Sequence, residues 1–488
     1  MSDSKYEYVI GLETHVELST DTKMFCGCGL SFGHEPNTFT CPVCLGHPGV
    51  LPVVNEKAFN YAIKIALALN CKINSSTIFH RKNYFYPDMP KNYQISQYDL
   101  PLGSGGYVEV DMGSYIKRVG ITRVHMEEDT GKLIHTGISG RISESESSIV
   151  DFNRAGTPLI EIVTEPDLRT AAEAKEYLIA LRNLITYLDV SDCSMEQGSL
   201  RCDANISVRL KGESSLGVKT EIKNLNSFRF LQRGLEFEAK RQTKILESGG
   251  SVIQQTRHYD SINDCTKALR TKEEAHDYRY FPDPDLVQIN PGKDYVDSIR
   301  SSIGELPYEK AKRYKKEFNL PEYDSRFLAS DKNFARFFEE CLKADSAVSP
   351  KSVSNWIMGD FASFLNRESI SITESKIKPS FLCRLIELID NGTVNQKMAK
   401  PVFEEMFYTG DDPMKIISDK GLQQISDTSF IDEIIQRVID ENPEPVEQLK
   451  NGKEKALGFL IGRVMALTQG KVNPKLVSDI ITAKIKKS

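Results

Sequence analysis

"GLETHVEL", Gly11–Leu18, alternates strictly. Leu12, Thr14, Val16 and Leu18 fall on one side of an extended chain, and Glu13, His15 and Glu17 on the other. The stretch reads as a strand with one face for a core and one face of ionisable groups. Later segments repeat the pattern. In "ITRVHMEED" Arg123, His125 and Glu127 share the polar side, and the segment ends at Glu128 and Asp129. In "TPLIEIVTEPD" Glu161 interrupts an apolar run. In "SLRCDANISVRL" Leu200, Cys202, Ala204, Ile206 and Val208 face in, while Arg201, Asp203, Asn205, Ser207 and Arg209 face the other way. In "GVKTEIKNLNS" Lys219, Glu221 and Lys223 share a side.

An antiparallel sheet with one wet face alternates in the same way. Two features favour a ligand-binding face. Asp203 and Asn205 are poor strand residues inside a strong strand, and the rows mix Glu and His with Arg and Lys. Glu13, His15, Glu127, Glu128 and Glu161 are mainly hard oxygen ligands, which suit Mg2+. Arg154, Arg201, Lys223 and Arg279 are placed to neutralise phosphate oxygens. No P-loop, strand-linked G-x-G-x-x-G, H-E-x-x-H or G-x-S-x-G motif occurs, so any ATP must lie on an unusual cradle of strands.

Three helices punctuate the strand-rich half. Asn55 caps the first, Thr170 and Glu173 form a capping box for the second, and the third runs from Ser227 to Gly249-Gly250. After about residue 294 the periodicity becomes almost wholly helical. The fold class expected is α+β: a mainly antiparallel cradle over 1–293, a helical domain over 294–405, and a small helical tail over 406–488. In the tail, Lys453, Lys455, Arg463, Lys471, Lys475, Lys484, Lys486 and Lys487 face only Glu454 and Asp479. That surface reads either as a solvated tail or as a contact for nucleic-acid phosphates.

"CGCGLSFGHEPNTFTCPVC" places Cys26, Cys28, Cys41 and Cys44 within one loop. The spacing predicts zinc; free thiols or a redox pair are the alternatives. Four thiolates close a tetrahedron, so the zinc expected is structural. The net charge of −6 gives no global sign of nucleic-acid binding. No apolar run approaches a membrane span, and the N-terminus lacks a signal-peptide core, so no membrane partner and a cytoplasmic location are expected.

"GLETHVEL", "NYFYPDMPKNYQISQ", "HMEEDTGK", "DFNRAGTPLIEIVTEPD", "GSLRCDANISVR", "EIKNLNSFR" and "EEAHDYRYFPDPDL" resemble the successive motifs of the B subunit of the tRNA-dependent aspartyl/glutamyl amidotransferases. The resemblance runs from about Tyr6 to the C-terminus. "FPDPDLVQINPG" leads straight into the helical half, without the extra domain of the archaeal form, so the bacterial heterotrimeric type fits better. The resemblance implies an ATP-dependent ligase component that phosphorylates the side-chain carboxylate of Glu or Asp on misacylated tRNA. Ammonia from the amidase, or A, subunit would then displace phosphate, and a small C subunit would join the two. Carried over residue by residue, Mg2+ ligation falls to Glu13, His15, Glu127 or Glu128, and Glu161. Glu13, His15, Glu128, Asp203, Glu221 and Lys223 would serve the chemistry, and Arg154, Arg201, Asn205, Tyr278 and Arg279 would contact ATP or the tRNA terminus. Lys91 and Tyr84 are weaker candidates for the ammonia path. The zinc cysteines occur in only part of that family, which favours a staple. The rival is a tRNA-binding scaffold whose partners hold all the catalysis; it would need Lys and Arg but not Glu13, His15 and Glu128 together.

Overall fold

A computed structural model describes residues 5–30, 33–136, 147–270, 278–422, 428–450, 454–468, 472 and 474–487. Its strands are β1 (Tyr6–Glu17), β2 (Lys72–Ile73), β3 (His80–Asn83), β4 (Tyr93–Ser96), β5 (Gly103–Asp111), β6 (Ile116–Glu128), β7 (Lys132–Thr136), β8 (Ser147–Asp151), β9 (Pro158–Thr164), β10 (Leu200–Leu210), β11 (Thr220–Lys223), β12 (Gln255–Asp260), β13 (Cys265–Arg270) and β14 (Phe281–Pro282). Among the described residues a nine-stranded sheet runs β13-β12-β11-β10-β1-β9-β6-β5-β2. Every pairing in it is antiparallel except β11 with β12. A small sheet, β14-β3-β4, and the β7-β8 hairpin complete the strands.

The alternation of β1 sets its burial. Leu12, Thr14, Val16 and Leu18 are at most 3 % exposed. They join Val124, Met126, Ile160, Ile162, Leu200, Cys202, Ala204 and Ile206 in the core. Over this apolar face lie α1 (Glu56–Ala68), α2 (Ala171–Tyr187) and α3 (Phe228–Glu247). Their caps follow from their first residues: Asn55, Thr170 and Ser227 accept from the N–H groups of Ala58, Glu173 and Phe230. The capping box differs in one bond. The Glu173 carboxylate reaches the N–H of Arg169 at 2.7 Å rather than that of Thr170, and its other oxygen accepts from Tyr115 Oη.

Glu238 of α3 is fully buried under the sheet edge. It accepts from Arg241 Nε and Nη2, Gln242 Nε2 and Thr266 Oγ1 at 2.6–2.9 Å. Burial pushes this carboxyl up, but these donors outweigh it and hold it below its ordinary value. A depressed folded value means that the bonds stabilise fully above the unfolded value and are lost as pH falls toward the folded one. Thermal melts at pH 7 and pH 4 should therefore show wild type losing more stability on acidification than Glu238→Gln. Equal losses would show that Glu238 does not report on folding in that window.

The chain divides into compact units, Met1–Glu309 and Lys310–Ser488. The first unit continues past residue 293 because Val296 and Ile299 of α4 (Lys293–Ser302) bury in the sheet domain's core. The second unit is helical. After α5 (Pro307–Glu317), which crosses the junction, come α6 (Glu322–Ser330), α7 (Lys332–Ala344), α8 (Pro350–Trp356), a π turn (Ile357–Phe361), α9 (Ala362–Glu368) and α10 (Pro379–Asp390). They are followed by α11 (Gln396–Thr409), α12 (Pro413–Asp419), α13 (Thr428–Glu441), α14 (Pro443–Lys450), α15 (Glu454–Leu467) and α16 (Pro474–Lys487). Residue 405 lies inside α11, between buried Phe403 and Met406. A separate apolar cluster, including Ile431, Ile435, Leu460, Val464, Val477 and Ile481, unites α13, α15 and α16. Of the basic tail residues, Lys453 and Lys471 lie outside the described residues, and Lys484 pairs with Asp432 at 2.8 Å. No helix among the described residues is long and apolar enough to cross a membrane.

Candidate functional site

The face of the sheet opposite α1–α3 gathers the ionisable rows. His15 on β1 stands opposite Glu161 on β9, which stands opposite His125 on β6. His15 Nε2 lies 3.4 Å from Glu161 and 3.6 Å from Glu127, and His125 Nε2 lies 3.2 Å from Glu161. Ligand atoms of His15, Glu127 and Glu161 all lie within 4.8 Å of one another. Burial would lower the His15 imidazole, but Glu161 and Glu127 outweigh it and raise it to about 9. Burial likewise pushes Glu161 up, and both imidazoles pull it well below the ordinary value. The proton on His15 thus supplies positive charge to two buried carboxylates, where a hard cation would supply more.

Beside this cluster, the β10–β11 rows interlock. Asn205 Nδ2 donates to Glu13 at 2.8 Å, and Lys223 pairs with Asp203 at 2.6 Å and with Glu221 at 3.5 Å. Burial lowers the Lys223 ammonium, while Asp203 and Glu221 overcome that and raise it. Toward the C-terminal end of β1, Arg201 pairs with Asp129 at 2.6 Å, and Arg154 approaches the same carboxylate at 3.6 Å. Glu17, 4.0 Å from Arg201, is pushed up to about 8 by burial and by the neighbouring Asp129 charge. These cations can donate to phosphate oxygens at the cost of existing carboxylate partners.

Two comparisons with known proteins bear on this geometry. Residues 8–297 match the family model described as the GatB/GatE catalytic domain, and residues 336–485 match the model described as the GatB domain. The chain belongs to the GatB/GatE family. Among its relatives is the B subunit of the aspartyl/glutamyl-tRNA(Asn/Gln) amidotransferase of Thermoanaerobacter sp. (strain X514). It is 53 % identical over 484 residues, covering 99 % of this chain and 100 % of the relative. The proteins of the same description from Caldanaerobacter subterraneus subsp. tengcongensis and Persephonella marina are each 52 % identical, over 99 % of this chain and all of the relative.

In this GatB/GatE-family chain the polar face does not hold every expected residue. Glu128 is absent from the His15 cluster. Alternation turns it to the other side of β6 from Glu127, where it pairs with Lys91 and accepts from the N–H of Ile95 at 3.0 Å. Glu13 lies on the polar face but is tied to Asn205 rather than to His15 and Glu161. Tyr278 and Arg279 lie on the small sheet side: Asn83 Nδ2 donates to both of their carbonyls, and Arg279 is exposed with φ +46°. Tyr84 packs edge-on to Tyr278 at 6.0 Å.

His125, Asp129 and Glu17 join the site although the expected ligand set lacked them. The first already stood in the polar row of "ITRVHMEED", so its signal was present. Lys82 of β3 is the larger omission. Burial lowers its ammonium, and the charges of Glu127 and Glu161 raise it above the ordinary range, which sets it close to the cluster. No periodic pattern marked it.

The residues fit both metals and a nucleotide by distinct observations. For a hard cation, His15, Glu127 and Glu161 converge, two carboxylates and one imidazole whose ligand atoms lie within 4.8 Å of one another. For phosphates, the buried Arg201 Nε and Asn205 Oδ1 lack hydrogen-bond partners. For zinc, the ligand sulfurs of Cys26, Cys28, Cys41 and Cys44 lie within 4.8 Å of one another, compatible with a tetrahedron of sulfurs about 2.3 Å from the metal. Cys26, the Cys41 backbone and Lys23 pull the Cys44 thiol down against the burial that would push it up, the direction that favours a thiolate ligand. The cysteine loop is stitched to the segment bearing Arg154. Asn37 N–H donates to Asp151, Phe39 N–H to Asn153 Oδ1, and fully buried Lys23 to the carbonyls of Phe39 and Phe152.

Proposed function

We propose that this chain is the B subunit of a tRNA-dependent aspartyl/glutamyl amidotransferase, and that it activates the side-chain carboxylate of Glu or Asp on misacylated tRNA with ATP. The observation that carries this reading is the convergence of His15, Glu127 and Glu161 on one face, flanked by Arg201 and Lys223. A carboxylate attacking ATP brings like charges together. When bound, Mg2+ would offset that charge between the phosphates and the acyl carboxylate, held by His15, Glu127 and Glu161. Lys223, Arg201 and Arg154 would donate to the phosphate oxygens, with Asp203, Glu221 and Asp129 holding those cations in place until then. The acyl oxygen bonds the γ-phosphorus as the bond to the β,γ-bridging oxygen breaks, releasing ADP. Ammonia then attacks the phosphorylated side-chain carboxyl carbon and inorganic phosphate leaves, giving the side-chain amide with the ester to tRNA intact.

Ammonia would come from a partner amidase, the A subunit, consistent with the lack of an amidase signature in this chain, and a small C subunit would complete a heterotrimer. Glu13 and Asn205 would orient the acyl group or nucleotide beside the cluster, while Lys91 and Tyr84 belong to the approach from the partner. The zinc cysteines would be structural. Lys455, Arg463 and Lys475 of the tail would contact the phosphates of the tRNA body. The setting is the cytoplasm. A scaffold that only bound tRNA would have no use for two histidines and two carboxylates packed within ion-pair distance. The test is ADP release by the reconstituted complex. It should depend on misacylated tRNA and persist when glutamine is withheld. ADP release indifferent to the acyl group would leave the scaffold as the better account.

A further inference from the structure

The small sheet carries a group of aromatic side chains that the reaction above does not use. Tyr98 and Tyr280 stack with ring centroids 4.5 Å apart and planes 8° from parallel. Tyr278 meets Tyr280 edge-on at 6.1 Å, and His80 meets Tyr98 edge-on at 6.3 Å. The stack is not core, because Tyr98 is 50 % exposed and Phe281 beside it 44 % exposed. Covered by Tyr280 on one ring face and met by His80, Tyr98 still leaves half of its surface to solvent. Cations border it: Arg279 is exposed alongside, Lys82 Nζ lies 5.0 Å from the Tyr278 ring centre, and the Arg81 guanidinium, 5.9 Å from that of Phe281, is held by Asp283 and Asp285 at 2.8 and 3.0 Å.

The patch adjoins the carboxylate cluster through β4. Ser96 donates to Glu127 and Gln94 to the carbonyl of Glu128, and Tyr280 is raised to about 12 by burial together with the charges of Glu127 and Glu161. It lies on the β6 side of the cluster, whereas Asp203 and Lys223 lie on the β10–β11 side. Exposed parallel rings with flanking cations are what a single-stranded nucleic-acid end requires: a π face for the base and positive charge for its phosphates. An aminoacyl group hangs on the ribose of the last nucleotide. Whatever holds its carboxylate at the cluster therefore keeps that terminal base close by.

We infer that Tyr98 and Tyr280 form a stacking platform for the 3′-terminal nucleobase of the RNA whose acyl group enters the carboxylate cluster. The inference rests on the proposed function and is tested by binding, without ATP turnover. The assembled complex is titrated with intact tRNA and with tRNA lacking its terminal adenosine. Wild type should bind the intact form more tightly. Tyr98→Ala should weaken it by about 5- to 150-fold, the range for loss of one base–aromatic stack, and abolish the preference for the terminal nucleotide. Tyr98→Trp should keep that preference, and the KM for ATP should not move. Unchanged tRNA affinity in Tyr98→Ala at wild-type Tm would overturn the platform. So would a raised KM for ATP alone, which would assign the ring to the nucleotide's adenine, or failure to copurify with the other subunits, which would assign it to a protein interface. Failure of the proposed function shows differently, as wild-type complex that binds tRNA but releases no tRNA-dependent ADP.

Discussion

Glu161→Gln is expected to lower tRNA-dependent ADP release by the complex by more than about 100-fold. Replacing groups that merely orient metal ligands already costs about 10–100-fold, and Glu161 sits at the centre of the cluster, 3.2–3.4 Å from both His125 and His15. Glutamine keeps the volume and removes the charge that both imidazoles neutralise, so the fold should survive while cation affinity falls. The accompanying measurement is tRNA binding, which should change little. Residual ADP release above a tenth of wild type, with assembly intact, would remove Glu161 from the cation site. Glu128→Gln is the informative partner. Because Glu128 faces Lys91 and the Ile95 amide, its loss should first appear in thermal stability.

Replacing Cys41 and Cys44 together by serine should eliminate bound zinc and destabilise the sheet domain by several kcal/mol, as loss of a structural metal does. The effect should not remain in the loop. Asn37 and Phe39 donate to Asp151 and Asn153, and Lys23 to the carbonyls of Phe39 and Phe152. Release of the cysteines therefore frees the stretch that positions Arg154. Zinc analysis by atomic absorption and the thermal midpoint test the first part; a raised KM for ATP in the folded remainder tests the second. Retention of zinc and of the wild-type midpoint would show that these thiols hold no metal.

Much of this site was legible as alternation. "GLETHVEL" and "SLRCDANISVRL" declare which side chains share a face, and the register then sets His15 against Glu161 and Arg201. The same arithmetic separates Glu127 from Glu128, and of those two alternatives Glu127 shares the face of His15 and Glu161. His125 was visible in its row for the same reason. The small sheet was not legible. β14 meets β3 across roughly two hundred residues through a two-residue pairing, Phe281–Arg81 and Pro282–His80, and no local pattern foretells a closure that short. Likewise "QTRHYD" and "CTKALR" lack the clean apolar row that advertised the central strands, yet they extend the sheet as β12 and β13.

The opposed carboxylates of β6 make chain length as consequential as chemistry. Inserting one residue between Met126 and Glu127 would carry Glu127 to the position that now meets Lys91 and Glu128 to the cluster's side, one pleat further along. Inserting two would return each to its side, one pleat further along. Either insertion leaves the position facing His15 and Glu161 without a carboxylate, so activity should fall with the first added residue and stay low with the second, even though both carboxylates are still in the chain.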